Sequence, residues 1–445
     1  MTADIIIIPV AAAAGALSAS LPACIPGLHI YNIMGLLALL SYHISAIGYS
    51  LPVEVALPFS AGLVVGYSVL NTIPSILLAA PDESAMFTVL PGQKLFLSGR
   101  GLDGVMITTA GSAAGLILLL IILGPVAPTI LPTVKTVLQP HTHWILWCVI
   151  AFMLMSEWPK TGPCGQAGWR RFADAWKSVS MGLLTFVLSG ILGFILFFAP
   201  TVGTTVSFQN LMPAFVGLFT IPWLLLNIVS NLTPPQQAAE SSVRIGTSSA
   251  IRGAFAGAMG GGFAAFFPVV TGGVGGLLAG HATAIRDDRT FLISQGTSKL
   301  IYYAGGLLLF FVPQLGMRRG GGAWIISGFV TPYGYYEYFM ALAAIAISGA
   351  VALLLVTPLT RLTLTAINRI GYRPISCGAL LITLVIVGGI TGLAGLSIMA
   401  VATGIGMLPL LFGARRMNCL GVILLPMACS MSGVGAAIAH WMGLI

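Results

Sequence analysis

The stretch LPACIPGLHIYNIMG, Leu21 to Gly35, interrupts what would otherwise be one long apolar helix. It contains two prolines, a glycine directly after the second proline, a histidine and an asparagine. In hydrocarbon every backbone N–H and C=O group must be paired, so a break is tolerated only where it is buried in protein or lines a water-filled cavity. The stretch therefore predicts a broken membrane helix whose break has a function.

Composition places the rest of the chain in a membrane as well. Of its 445 residues, 57% are hydrophobic and 7% are charged, and the mean hydropathy is +1.00. With about 20 residues per crossing, the apolar runs predict an all-α, polytopic integral membrane protein with roughly ten to twelve transmembrane helices. The expected location is the cell (plasma or inner) membrane, with the lipid bilayer as its surroundings.

Several classes of function lack support in the sequence. The net charge of +8 is explained by basic cytoplasmic loops, so nucleic acid is not an expected partner. The six cysteines lack metal-ligand spacing, and neither a Ser/His/Asp arrangement nor a phosphate-binding loop is found. We therefore predict no enzyme activity, no metal site and no cofactor.

A second stretch repeats the pattern of the first. GALSASLPACIPGLHIYN, from Gly15, and GAMGGGFAAFFPVVTGGVGG, from Gly257, both run from Gly-Ala to a proline at the same offset. The positive-inside rule places the start of the first stretch outside and that of the second in the cytoplasm. We therefore predict inverted-topology repeats with broken or re-entrant Pro-Gly hairpins: residues 1–231 with a hairpin at 5–44, and residues 232–445 with a hairpin at 250–285.

The two breaks form the predicted substrate site. Pro and Gly end a helix and free N–H groups at the start of the next half-helix, where the helix dipole favours an anion. Nearby polar side chains add directed hydrogen bonds. The predicted substrate-binding residues are Pro26, Gly27, His29, Asn32, Pro268, Thr271, Gly272 and Gly273. The alternative interpretation of either break alone is an ordinary turn, with glycines that serve helix packing.

Acidic residues are rare, and two of them follow an apolar run. Asp82 and Glu83 come directly after SILLAAP, which resembles a loop that dips into the protein. We predict that they couple transport to a cation, either by binding Na⁺ or by carrying a proton. His29 is a candidate for proton coupling because its unperturbed pKa of about 6.5 makes its charge sensitive to its surroundings. A neutral, hydrogen-bonded buried histidine is the alternative.

The remaining charged segments are predicted to be connections between membrane segments. One of them runs from Arg286 to Lys299. For Asp287 and Asp288 within it, we favour solvated surface charge over a role in coupling.

Motifs along nearly the whole chain resemble one family. They are IPGLH at the first break, PSILLAAPDESAMFTVLPGQKLFLSGRGLDGVMITTAGS after the third segment, FVLSGILGFILF, LMPAFVGLFTIPWLL, FFPVVTGGVGG followed by FLISQGTS, and GARRMNCLGVILLP. In this order they resemble the TctA family, the large membrane subunit of tripartite tricarboxylate transporters, and especially its shorter, archaeal-type branch. The resemblance implies a secondary transporter that works with an extracytoplasmic substrate-binding protein and a small membrane subunit.

The resemblance also assigns positions. The family's Pro-Gly signature falls on Pro26-Gly27, its Pro-Asp-Glu loop on Pro81 to Glu83, and its second proline-centred break on Pro268. The chain departs from the family at Val269, where glycine is usual. HIYN also stands where the short branch commonly has His-Pro-Asn.

The sequence thus predicts a secondary active transporter (permease) of small organic anions, such as tricarboxylates and other carboxylates, driven by a gradient of Na⁺ or H⁺. Two alternatives stay open. A polyprenyl-phosphate (lipid carrier) translocase would present a phosphate to the same half-helix N-termini. A non-transporting accessory or scaffold subunit of a membrane complex would use the breaks for packing. A homodimer is compatible with each of these functions.

Overall fold

The structure of the protein is a computed structural model. It describes residues 2–26, 28–46, 48–49, 51–158, 168–200, 202, 210–230, 233–238, 240–241, 243–332 and 334–445. Side chains are described for these residues except 2–5, 31, 32, 39, 170 and 171. All regular secondary structure in the described ranges is helical, which confirms the all-α class.

The α-helices of the described residues are connected mostly by short turns. They are α1 Thr2–Cys24, α2 Ile30–Ala46, α3 Val53–Leu70, α4 Thr72–Leu77, α5 Val89–Leu97, α6 Gly101–Leu118, α7 Gly124–Leu138, α8 Thr142–Met155, α9 Trp169–Phe198, α10 Leu211–Phe215, α11 Ile221–Val229, α12 Thr247–Phe266, α13 Gly272–Ala282, α14 Asp288–Leu300, α15 Gly306–Phe311, α16 Gly320–Ile326, α17 Tyr335–Ile370, α18 Tyr372–Phe412, α19 Gly421–Met431 and α20 Gly435–Trp441.

Shorter helical turns join some of these elements. Wider π-helical turns at Leu119–Leu123, Val216–Thr220 and Ile301–Gly305 each link two α-helices. Tighter 3₁₀ turns occur at Met86–Thr88, Gln139–His141 and Arg416–Leu420.

Seven helical stretches in the described ranges are long and apolar enough to cross a membrane. They are Ile6–Cys24, Val53–Leu77, Gly101–Met155, Phe172–Phe198, Leu211–Val229, Tyr335–Ile370 and Tyr372–Phe412. The third has 55 residues and the last has 41, whereas one crossing needs about 20. Helix α18 is also broken at Gly392, where φ is +65°. A bent pair, Arg416–Met431 with Gly435–Trp441, adds an eighth stretch. The polytopic membrane architecture is therefore confirmed.

The chain forms two compact units. The larger unit draws on residues 1–135 and 223–386 and contains both helix breaks and the Pro-Asp-Glu loop. The smaller unit draws on residues 136–203, 210–222 and 387–445. Each unit takes residues from both halves of the chain, and the repeat boundary at 231/232 stays a prediction.

The helices are interrupted at both places that the sequence indicated. The first interruption lies between Cys24, the end of α1, and Ile30, the start of α2; the second lies between Phe266 and Gly272. Helix α13 has 11 residues and is therefore about 16 Å long, roughly half of the apolar thickness of a bilayer. That the two interruptions form matching hairpins inserted from opposite sides stays a prediction.

The assignment of Lys299 to a charged connection is wrong. Helix α14 continues to Leu300, and Lys299 is only 1% exposed. The cause is close packing of α14 against α6, where the Thr297 hydroxyl donates to Gly111 O at 2.7 Å and the Ser112 hydroxyl donates to Gly296 O at 3.3 Å. This contact takes the C-terminal half of α14 into the core of the larger unit.

Candidate functional site

A buried polar cluster joins the first break, the Pro-Asp-Glu loop and the helices around them. The His29 Nε2 atom lies 3.2 Å from Glu83 Oε1 and 3.1 Å from the Tyr303 hydroxyl. Only 14% of the His29 side chain and 6% of the Glu83 side chain are exposed. We call the whole group the acid cluster; its members are His29, Tyr67, Asn71, Asp82, Glu83, Lys299 and Tyr303.

Asp82 is held by hydrogen bonds to both carboxylate oxygens. Its Oδ1 atom accepts from the backbone N–H groups of Ser84 at 3.0 Å and Ala85 at 2.7 Å. Its Oδ2 atom accepts from Asn71 Nδ2 at 3.0 Å and from the Tyr303 hydroxyl at 2.9 Å. A carboxylate accepts four such bonds only when it is ionised. These four donors favour the ionised form of Asp82 and offset part of the cost of burying it.

The local sequence explains why the loop enters the core. Helix α4 ends at Leu77, and Ala79 takes a left-handed conformation with φ of +52°. The N–H groups of Leu78 and Ala80 both bond to Pro74 O, at 3.0 and 3.2 Å. This hydrogen-bonded end turns the chain sharply, as helix C-caps do. Asp82 then starts the 3₁₀ turn Met86–Thr88 by accepting backbone N–H groups, as Asp does at turns.

Tyr303 lies in the π-helical turn Ile301–Gly305, where the extra residue per turn shifts the side chains that follow. Since its hydroxyl hydrogen is donated to Asp82, its oxygen accepts the contact with His29. His29 must then carry its proton on Nε2, and the same N–H group faces Glu83 Oε1. The imidazole ring also packs against Tyr67, with ring centroids 5.2 Å apart.

Glu83 differs from Asp82 in having an unused oxygen. Its side chain is buried, and Oε2 has no hydrogen-bond partner among the described residues. A buried, unpaired carboxylate oxygen is costly unless a proton or a cation reaches it. Glu83 therefore has one buried carboxylate oxygen that the described residues leave without a hydrogen-bond donor.

The charges of the acid cluster can be counted. Lys299 donates to Thr72 Oγ1 at 2.8 Å and interacts electrostatically with Asp82. While His29 is neutral, two carboxylates and one ammonium leave one uncompensated negative charge in the core, which a proton on His29 would balance. Ligand atoms of His29, Asp82 and Glu83 lie within 4.8 Å of one another, close enough to hold one ion. One proton or one monovalent cation would restore neutrality.

The second break meets the same loop through its backbone. Thr271 is 1% exposed and caps α13, its hydroxyl accepting from Val274 N–H at 3.5 Å. A Cβ atom added at Gly273 would lie 2.8 Å from Ser84 O, so the first turn of α13 packs directly on the residue after Glu83. The Ser298 hydroxyl fixes the same turn from α14 by donating to Gly272 O at 2.7 Å.

A comparison of the chain with protein families then decides its membership. The family model described as the tripartite tricarboxylate transporter TctA family matches residues 10–421. The chain belongs to the TctA family. It is therefore a membrane component of a transport system in the cell membrane, and its family is one of transporters, not of enzymes. TctA proteins usually work with a binding protein and a small membrane subunit.

One archaeal protein is similar to this TctA protein over most of the chain. An uncharacterized protein of Methanocaldococcus jannaschii is 25% identical over 363 residues, which cover 81% of this chain and 82% of that protein. No solved structure matches the chain.

Within this TctA fold, the predicted site residues have different positions. His29, Asp82 and Glu83 come together, and the Thr271–Gly273 turn lies beside them. Pro26 is buried, and its carbonyl oxygen accepts from Thr383 Oγ1 at 2.7 Å. Pro268 is buried in the turn before α13, where it forms none of the polar contacts described above. Gly27 and the side chain of Asn32 lie outside the described part of the chain.

The turn at Pro268 also explains the departure from the TctA pattern. Val269 has φ of +56°, in the left-handed region that favours glycine. The backbone at Val269 therefore has a conformation that glycine adopts without strain. A β-branched side chain in this region is strained.

Sequence analysis missed Tyr303, Lys299 and Asn71. Lys299 had a usable signal, because a lone charge directly before the apolar run that starts at Leu300 is a candidate functional residue. Tyr303 and Asn71 had none, because their roles depend on a π-helical turn and on the approach of α3 to the loop.

Proposed function

We propose that this protein is a secondary active transporter of small organic anions, such as tricarboxylates and other carboxylates, driven by a gradient of Na⁺ or H⁺. In this proposal Glu83 takes up the coupling cation, and Asp82 is the fixed charge beside it. The α13 N-terminus, preceded by Thr271, receives the anion. A binding protein and a small membrane subunit of the family's usual kind would deliver the substrate.

One observation carries the proposal. Glu83 contacts His29 of the first break, and the next residue, Ser84, packs on Gly273 of the second break. A buried carboxylate with a free oxygen and a helix N-terminus that favours anions therefore share one loop. Coupled transport of a cation and an anion requires a cation site and an anion site close to each other.

The coupling follows from electrostatics. An anion beside α13 is repelled by a charged Glu83 and is no longer repelled once a proton or Na⁺ neutralises that charge. Each ligand then raises the affinity for the other by the same factor, because coupling free energies are reciprocal. Cation and anion would bind together and move in the same direction.

The test is uptake of citrate by liposomes that contain the purified full-length chain, under a Na⁺ gradient and, separately, a pH gradient. Glu83→Gln should abolish the response to the driving gradient, because glutamine mimics the neutral form permanently. Exchange of labelled for unlabelled citrate should persist in the same variant. Asp288→Asn is the matched control, because Asp288 forms an exposed pair with Lys94 and should be dispensable.

Two results would contradict the proposal. Wild-type liposomes that take up no citrate under either gradient, with a binding protein and a small membrane subunit added, would remove the transport function. A Glu83→Gln variant that still responds fully to the gradient would remove Glu83 from coupling. Polyprenyl phosphate, tested in a parallel arm, distinguishes a lipid substrate from a soluble acid.

A further inference from the structure

Two buried polar side chains beside α13 have no partner and no role so far. Gln295 of α14 is 1% exposed, and neither end of its amide forms a hydrogen bond within the described residues. Ser84 is also 1% exposed, and its hydroxyl likewise has no partner there. Buried polar groups are nearly always hydrogen-bonded in native proteins, so both groups need an explanation.

Both residues lie along one face of α13, Gln295 with its side-chain amide and Ser84 with its backbone carbonyl. A Cβ atom at Gly276 would lie 2.7 Å from Gln295 Nε2, and one at Gly273 would lie 2.8 Å from Ser84 O. Positions three apart share a helix face. Because glycine has no side chain, the Gln295 amide and Ser84 can lie directly against the helix backbone.

The N-terminus of α13 adds further donors. The first N–H groups of any α-helix lack intrahelical acceptors, and Thr271 satisfies only that of Val274. The Gln295 amide, the Ser84 hydroxyl and the first turn of α13 thus supply hydrogen-bond donors at this end of α13.

We propose that Gln295 and Ser84 bind a carboxylate group of the substrate at the N-terminus of α13 and determine specificity for it. The proposal rests on the proposed anion transport and identifies the donors that recognise the anion. The unpaired amide and hydroxyl are then the unliganded state of a binding site. Because Ser84 directly follows Glu83, the charge of Glu83 directly affects the affinity of this site for the anion.

The proposal predicts opposite effects of one substitution on affinity and on stability. Gln295→Met keeps the length of the side chain and removes the unpaired amide. It should raise the Kd for citrate about tenfold or more, the usual effect of losing a hydrogen bond to a charged group. The melting temperature should not fall, because an unsatisfied buried group has been removed. Ser84→Ala should weaken citrate binding in the same direction.

A second glutamine provides a control for which the opposite pattern of effects is expected. Gln93 donates from Nε2 to Ile76 O at 2.6 Å, so its amide is used inside the protein. Gln93→Met should lower the melting temperature and leave the Kd unchanged. Ser294→Ala, on α14 and with its hydroxyl bonded to Phe291 O, should change neither.

The measurement is isothermal titration calorimetry of the full-length chain in detergent with citrate, with thermal melts of the same samples and a parallel titration with polyprenyl phosphate. Unchanged citrate affinity in Gln295→Met overturns the proposed binding site and leaves the transport proposal standing. If the wild-type protein binds polyprenyl phosphate and not citrate, and Gln295→Met weakens that binding, the binding site is supported and the organic-acid assignment is overturned. Wild-type protein that binds neither compound overturns both.

Discussion

The two helix breaks bring different chemistry to the same loop. The first break contributes a side chain, His29, which reaches Glu83 and Tyr303. The second contributes backbone: the glycine-rich first turn of α13 packs on Ser84. Both breaks have a proline at the same sequence offset, yet one ends in a titratable group and the other in free N–H groups.

This difference teaches that similar sequence patterns can serve opposite charges. A histidine beside a carboxylate handles protons or replaces a cation, whereas the N-terminus of a helix attracts anions. A side chain can also be exchanged with little change in the backbone, but a glycine-lined backbone cannot accept added atoms. The two breaks should therefore respond very differently to substitution.

The largest expected effect is on the stability of the second break. Helices α12 and α13 cross at Gly260 and Gly275, where a Cβ atom at Gly260 would overlap the Gly275 carbonyl. Gly260→Ala should lower the free energy of unfolding by about 3 kcal/mol, the upper range for overpacking. Gly262→Ala, two residues along the same helix with open space around it, should stabilise by up to about 1 kcal/mol. Thermal unfolding in detergent measures both, and equal effects would refute the close crossing.

The first break should respond in function and not in folding. His29→Gln keeps a hydrogen-bond donor but cannot carry a positive charge, so the ion pair with Glu83 is lost and citrate uptake should fall about tenfold. The pH dependence of the remaining uptake should flatten. His43→Gln, an exposed position on α2, is the control and should behave as wild type. A His29→Gln variant with unaltered uptake and pH profile would assign His29 to structure alone.

The smallest expected effect concerns the strained turn of the second break. Val269→Gly removes a β-branched side chain from the left-handed region and should raise the free energy of unfolding by about 1 kcal/mol. Val270→Gly should do the opposite, because Val270 is 1% exposed and lies outside that region. Chemical denaturation of the two variants would show the contrast; a destabilised Val269→Gly would mean that the valine side chain contributes more by packing than it costs in strain.

Much of the fold could be predicted from sequence because lipid imposes simple rules. Long apolar runs specify membrane helices, and proline and glycine mark their interruptions, so both breaks and the Pro-Asp-Glu loop were located correctly. Lys299 was misplaced because the lysine follows polar residues of α14 that pack inside the protein. The contacts of Tyr303 and Asn71 are tertiary, and no local pattern encodes them.

The candidate site was predictable only in part. His29, Asp82 and Glu83 stood out because each is rare in its segment, and the structure brings all three together. Gln295 and Ser84 carry no such signal, since polar uncharged residues are common in loops and helix ends. Their candidacy comes from burial without a partner, which only coordinates reveal.

The uncompensated charge of the acid cluster has a consequence for the folded protein itself. An ion that binds the native state and not the unfolded chain adds to the free energy of unfolding by mass action. If Glu83 takes up the coupling ion as proposed, that ion acts as a structural component as well as a source of energy. A membrane gradient that empties the site would leave the protein not only idle but also less stable.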